Sequence, residues 1–172
     1  MEIPSEAEFQ SKYLIEGKFD ESWLPEEVNR EFFEETITFL KKEKDDVIPW
    51  IKKRVGTTGT PSFRHFNRKV SDNNAERLEL IKTLDGKSYE AFLHQADPTK
   101  KTLNRTSLNF VWENRNYQIE QYQFEDKYVG ILRCFSDNKT DIPIPDFIKT
   151  SKDISNDPQY FFYNLADPAF SN

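Results

Sequence analysis

Polar and apolar positions alternate with a period of two along most of this chain. In Glu8-Phe9-Gln10-Ser11-Lys12-Tyr13-Leu14-Ile15, an extended backbone sets Glu8, Gln10 and Lys12 on one side and Phe9, Tyr13 and Ile15 on the other. This predicts a first strand over 8–16, ended by Gly17. A second strand over 47–55 carries Trp50, Lys52 and Arg54 on one face. The turn Gly56-Thr57-Thr58-Gly59-Thr60-Pro61 joins it as a hairpin to a third, over 62–70, with Arg64, Phe66 and Arg68 opposing Phe63, His65 and Asn67. Over 75–84, Arg77, Glu79 and Ile81 oppose Leu78, Leu80 and Lys82, although a helix also fits that stretch. The clearest alternation lies in 105–112, where Thr106, Leu108, Phe110 and Trp112 interleave with Arg105, Ser107, Asn109 and Val111. Asn114-Arg115-Asn116 then turns the chain into a strand with Gln118, Glu120 and Tyr122 opposite Ile119 and Gln121. The last strand, 128–135, is apolar on both sides and predicts a covered position.

Two stretches follow another period. After Pro25, the residues Val28, Phe32, Phe33, Thr36, Phe39 and Leu40 fall at helical spacing. Glu26 and Glu27 stand at the start and Lys41, Lys42 and Lys44 at the end, an order that suits a helix dipole, so a helix is expected there. A short helix capped by Ser88 and bearing Tyr89, Phe92 and Leu93 is expected to stop at Ala96-Asp97-Pro98. The tail contains Pro143, Pro145, Pro158 and Pro168, and reads as an irregular strap over 138–172. Phe147, Tyr160, Phe161, Phe162, Tyr163 and Leu165 are its anchors to the body. The pattern predicts one α+β domain over 1–172: an antiparallel barrel or tunnel of about seven to eight strands with inserted helices.

Composition narrows the function. Of the 172 residues, 36% are hydrophobic and 31% charged, so the core must rely on large side chains, and 15 Phe supply them. A net charge of -6 argues against general nucleic-acid binding. The single Cys134 rules out an internal disulfide and a Cys-rich zinc site, and suits a reducing compartment. No apolar run approaches the ~18 residues a membrane span needs. The N-terminus has neither signal-peptide nor transit-peptide character, and a cytoplasmic location is expected. His65 and His94 stand on different elements with no companions for a metal site, and no nucleophile-elbow or Gly-rich phosphate loop occurs.

A charged strand face ordinarily turns to water. If the polar faces instead meet inside, Lys12, Lys52, Arg54, Arg68 and Arg105 would line a confined space and repel one another strongly. A phosphate chain would then supply the missing negative charge. Glu8, Glu79 and Glu120 in the same space would offer oxygen ligands to Mg²⁺ or Mn²⁺, the combination that phosphoryl transfer to water requires.

Glu8-x-Gln10-x-Lys12-Tyr13-Leu14-Ile15 resembles the opening Glu-x-Glu-x-Lys strand of the CYTH, or triphosphate-tunnel, superfamily. The resemblance continues through Lys52-Lys53-Arg54, Arg68, Arg77-x-Glu79, Arg105 and Tyr117-Gln118-Ile119-Glu120. Gln95-Ala96-Asp97-Pro98, Phe110-Val111-Trp112 and Asp157-Pro158-x-Tyr160 look most like the CYTH-like C-terminal module of the TRPL translocation defect protein family. In that family the module follows a P-loop domain, a motif these 172 residues do not contain. The resemblance implies a tunnel fold, with guanine nucleotides or phosphoinositide headgroups as ligands. Three departures bear on activity: Gln10 replaces the second glutamate, Ser107 a basic residue, and Ile131 and Arg133 stand near a late Glu-x-Glu. Losing carboxylates while keeping cations weakens metal binding more than anion binding. The expectation is a non-catalytic tunnel domain without a cofactor. Lys12, Lys52, Arg54, Arg68 and Arg105 would contact a phosphorylated small molecule or lipid headgroup, or the domain would serve as a module that binds a protein partner. The alternatives are a metal-dependent triphosphatase using Glu8, Glu79 and Glu120, and a structural subunit of a larger complex.

Overall fold

The computed structural model describes residues 9–69, 79–136 and 142–170. Nine strands form one sheet: β1 (Phe9–Ile15), β2 (Arg30–Phe39), β3 (Val47–Val55), β4 (Pro61–Lys69), β5 (Glu79–Leu84), β6 (Leu103–Trp112), β7 (Arg115–Gln123), β8 (Tyr128–Ser136) and β9 (Thr150–Asp153). Helix α1 (Gly86–Leu93) lies between β5 and β6, and the single-turn α2 (Phe162–Leu165) follows β9. Every strand pairing is antiparallel, in the order β5-β4-β3-β2-β6-β7-β8-β1-β9.

The antiparallel tunnel-like sheet expected from the alternation is present, with two corrections. Among the described residues the hydrogen-bonded ladder does not close into a barrel: it ends at β5 and β9, six and four residues long, and short edges limit the exposed backbone. The expected helix after Pro25 is instead β2. There Glu31, Phe33, Glu35, Ile37 and Phe39 alternate with Phe32, Glu34, Thr36 and Thr38, and the β-branched run Thr36-Ile37-Thr38 favours the pleated backbone. Two details shift as well. The β6–β7 turn sits at Glu113-Asn114, both at positive φ (48° and 60°), as a two-residue hairpin of this twist demands. Helix α1 is capped by Asp85, whose Oδ1 accepts from the Ser88 amide at 2.7 Å.

Register assigns each residue to one of two faces. On the outer face, Ile15, Leu108, Phe110, Tyr117, Ile119, Leu132 and Cys134 are buried under Leu24, Val28, Ile142 and Ile148. Farther along the sheet, α1 covers Ile51 through Tyr89. On the inner face, Ile37, Phe39, Trp50 and Phe66 share one cluster with Val129 and Ile131. β4 and β8 are five places apart in the ladder, so the sheet curls until their inner faces meet a common filling. That filling is the tail: Ile154, Tyr160, Leu165 and Ala166 are buried there, and the Phe162 ring lies 4.9 Å from Trp50 and 5.2 Å from Phe39. One end of the inner face is therefore apolar and plugged.

Candidate anion site on the inner face

Beyond the apolar plug, the same strands turn polar. Glu35 of β2 lies between Arg54 of β3 and Arg105 of β6 in register, and its carboxylate is fully buried. Arg54 Nε donates to Oε2 at 2.9 Å, Lys52 Nζ stands 3.2 Å from the same oxygen, and Arg105 Nε donates to Oε1 at 3.0 Å. Both oxygens are thus taken by cations. Arg105 extends the cluster, because its Nη1 reaches Glu120 Oε2 at 3.0 Å and donates to the Tyr122 hydroxyl at 2.8 Å. That hydroxyl donates in turn to Glu120 Oε2 at 2.6 Å. Arg133 of β8 closes on Glu120 from the other side, with Nε 2.5 Å from Oε1 and Nη2 3.4 Å from Oε2. Lys12 of β1 pairs in register with Arg133, and its charge also acts on Glu120.

Aromatic faces support four of these cations, Arg105 among them over Tyr122 at 5.6 Å. Arg54 stacks on Phe33 at 4.2 Å, Lys52 lies over Phe66 at 5.0 Å and Lys12 over Phe161 at 5.2 Å. Toward the other end lie neutral polar groups, with Gln118 Nε2 donating to Ser107 Oγ at 2.8 Å.

The electrostatics follow from burial and charge together. Burial by itself would raise the Glu35 carboxyl, but Arg105, Lys52 and Arg54 outweigh it and hold the group far below the usual carboxylate range. Glu120 is treated alike: burial opposes ionisation, and Arg105, Arg133, the Tyr122 hydroxyl and Lys12 prevail. Burial brings Lys52 down to about 8, a fall that Glu35 resists and the neighbouring Arg105 and Arg54 deepen. Arg105 moves up, because Glu120, Tyr122 and Glu35 overcome the burial that would lower it. Among the described residues, five cations, Lys12, Lys52, Arg54, Arg105 and Arg133, thus surround two carboxylates. A confined surplus of positive charge is costly and is relieved by an anion.

Of the basic residues named from the sequence, Lys52, Arg54 and Arg105 meet on one carboxylate, and Lys12 joins them at Glu120. Arg68 does not join them: register sets it against Ile48 and Glu79, six positions along β3 from Arg54, roughly 20 Å at strand rise. Glu8 lies outside the described residues, as do Arg77 and the side chains of Gln10 and Glu79. Glu35 escapes a sequence reading because 28–40 also fits a helical period. Read with a period of two, the stretch places Glu35 beside Ile37 and Phe39 on one face. Arg133 enters the sequence reading only as a departure from the Glu-x-Glu motif, and its alternation with Leu132 and Cys134 sets it on the opposite face from them, beside Ile131.

The carboxylates do not fit a divalent metal as they stand. Glu35 and Glu120 have all four oxygens against guanidinium, ammonium or hydroxyl groups, and among the described residues no three His, Cys, Asp or Glu side chains converge. Cys134 is buried on the outer face, where burial pushes its thiol up to about 12, a poor nucleophile.

No protein-family profile matches the sequence, and no curated protein matches it. Solved structures do. Two crystal structures of the protein NE1496, one described as a hypothetical protein and one as an inorganic triphosphatase, superpose with a TM-score of 0.56 each. Their identities are 13% and 12%, over 92% of this chain and 97% and 93% of theirs. At that identity the likeness speaks for architecture alone. With the inner-face geometry beside it, the conclusion is that this chain has the triphosphate-tunnel, CYTH-like fold.

Proposed function

We propose that this chain is a non-catalytic tunnel domain that binds a phosphorylated anion, either a nucleotide, a polyphosphate or a phosphoinositide headgroup. The contacts are Lys12, Lys52, Arg54 and Arg105, joined by Arg133, with Arg68 as an outlying contact. One observation carries the reading: among the described residues, five cations crowd around two buried carboxylates, an arrangement that a polyanion would neutralise. The resemblance to the TRPL-related module supports guanine nucleotides or phosphoinositides within that class. Calorimetric titration with tripolyphosphate, GTP and inositol phosphates is expected to give binding that weakens as salt rises. Absence of binding to all of them at low salt would remove the anion reading and leave the protein-interaction module. Leu80 and Ile81, exposed on edge strand β5, would be the place to seek its partner contact.

The second reading is a metal-dependent triphosphatase, favoured by the shared fold of NE1496, itself described as an inorganic triphosphatase. It would use Glu8, Glu79 and Glu120 with Mg²⁺ or Mn²⁺, and the cations would orient the phosphates and offset their charge. Release of phosphate from tripolyphosphate with added metal, abolished by Glu8→Gln, would establish it over the non-catalytic reading.

A further inference from the structure

We infer that the inner face binds its phosphorylated ligand without a divalent cation, because Arg133 fills the coordination of Glu120 that a metal would need. The inference rests on the anion-binding reading and specifies how that binding works. Three features carry it.

Glu120 is 2% exposed and is the buried carboxylate of β7 on this face. Its Oε1 faces Arg133 Nε at 2.5 Å, and its Oε2 is shared by Arg105 Nη1 at 3.0 Å and the Tyr122 hydroxyl at 2.6 Å. A hard cation such as Mg²⁺ or Mn²⁺ binds at about 2.0–2.2 Å from carboxylate oxygens and requires several of them. To reach Glu120 it would have to expel a guanidinium that already satisfies the same charge, and so take from the half-buried Arg133 the carboxylate it stands against. That exchange is unfavourable twice over: a half-buried guanidinium gives up its contact with Glu120, and a dication joins a cluster that is already cationic among the described residues.

Among the described residues, the neighbours of Glu120 on adjoining strands offer a metal little more. In register it stands between Ser107 of β6 and Ile131 of β8, a hydroxyl and a hydrocarbon. Glu35, the other buried carboxylate of the cluster, is held by Lys52, Arg54 and Arg105.

The cations themselves are arranged for phosphate. Arg54 and Arg105 are each held by Nε on Glu35, while the buried Nη2 of Arg54 has no hydrogen-bond partner among the described residues. A guanidinium with a spare N–H pair is a ready phosphate contact, and guanidinium groups can take the charge-neutralising role that a metal plays for a polyphosphate. Arg133 therefore serves the ligand in two ways: it contributes positive charge, and it keeps Glu120 neutralised so that the carboxylate does not repel the anion.

The test uses the full chain and tripolyphosphate. Binding is titrated once in EDTA and once in excess Mn²⁺, while the electron paramagnetic resonance signal of Mn²⁺ reports its capture by the protein alone. The expected result is binding in EDTA that Mn²⁺ does not strengthen, with the Mn²⁺ signal remaining that of the free ion. The substitution Arg133→Gln uncovers Glu120, so it is expected to weaken binding in EDTA by about tenfold or more and to make Mn²⁺ strengthen it. Wild-type binding that appears only with Mn²⁺, or that Mn²⁺ strengthens by about tenfold or more, overturns the inference and leaves anion binding intact. No binding in either arm removes the anion-binding reading itself. Should Arg133→Gln fail to fold, the two wild-type arms decide the matter.

Discussion

Glu35 is the residue on which the inner face turns. Three long cationic side chains from two neighbouring strands end within 3.2 Å of its carboxylate, and all are largely removed from water. Removing one member of such a buried set leaves the others uncompensated, which typically costs about 3–5 kcal/mol. Glu35→Gln, nearly the same in shape, is therefore expected to lower unfolding free energy by about that amount in urea denaturation. An unchanged midpoint would show that the cations find other partners. The carboxyl is held below its ordinary 4.5, so its stabilising contribution is complete above that value and is lost as the solution is acidified through the lowered one.

Lys52 behaves in the opposite sense. Its ammonium is pushed down to about 8 from 10.5, so below about 8 it is charged in both folded and unfolded chains and its burial penalty is present in full. Between about 8 and 10.5 the unfolded chain holds more protons on this residue, and its contribution makes the fold more stable as pH rises. Anion binding runs against that trend, because the contact needs the charge. Lys52→Met is expected to weaken tripolyphosphate binding roughly ten- to hundredfold near neutrality, the range of a charge-assisted contact. The gap between wild type and Lys52→Met should shrink as pH rises through about 8, and a constant gap would remove Lys52 from the ligand contacts.

At the level of elements, the chain shows where a hydrophobic pattern decides and where it does not. In 105–112 the two periods cannot be confused, because Thr106, Leu108, Phe110 and Trp112 leave no helical stripe, and the strand stands where alternation puts it. In 28–40 both periods fit. Val28, Phe32, Phe33, Thr36 and Phe39 make a credible helical face, while Phe33, Ile37 and Phe39 make an equally credible strand face around Glu35. A buried carboxylate is invisible to hydrophobic periodicity, since it counts as a polar residue on a face that is meant to be apolar. The β-branched run was the local signal that separated the two; the partners of Glu35 come from distant strands, and no local pattern holds that information.

The tail is an element only by its packing. Leu165, in a helix of a single turn, is 0% exposed and sits with Phe39, Trp50 and Ile131. Leu165→Ala is expected to cost about 2–5 kcal/mol and to loosen 154–166 first, seen as faster amide exchange there than in β6 and β7. Equal loss of protection across the sheet would instead show that plug and sheet unfold as one unit.

The whole molecule carries a net charge of -6, yet among its described residues it gathers five cations around two carboxylates on the inner face. The alternation of 8–16, 47–55 and 105–135 made the antiparallel sheet and its cationic face legible without coordinates. Whether that face turned to water or inward depends on curling of the sheet and on a tail contributed from more than a hundred residues away in sequence, and alternation is the same in either case. The open ladder from β5 to β9 belongs to that same long-range information.

The most direct measurement is proton–nitrogen NMR of the arginine Nε–H groups during titration with tripolyphosphate. Binding on the inner face predicts that the Arg54, Arg105 and Arg133 signals shift together and saturate, while Arg30, whose guanidinium is engaged with Val28, Pro25 and Glu21, stays in place. Saturating binding that leaves the Arg54, Arg105 and Arg133 signals unmoved, or no binding at all, would contradict an anion site in the tunnel.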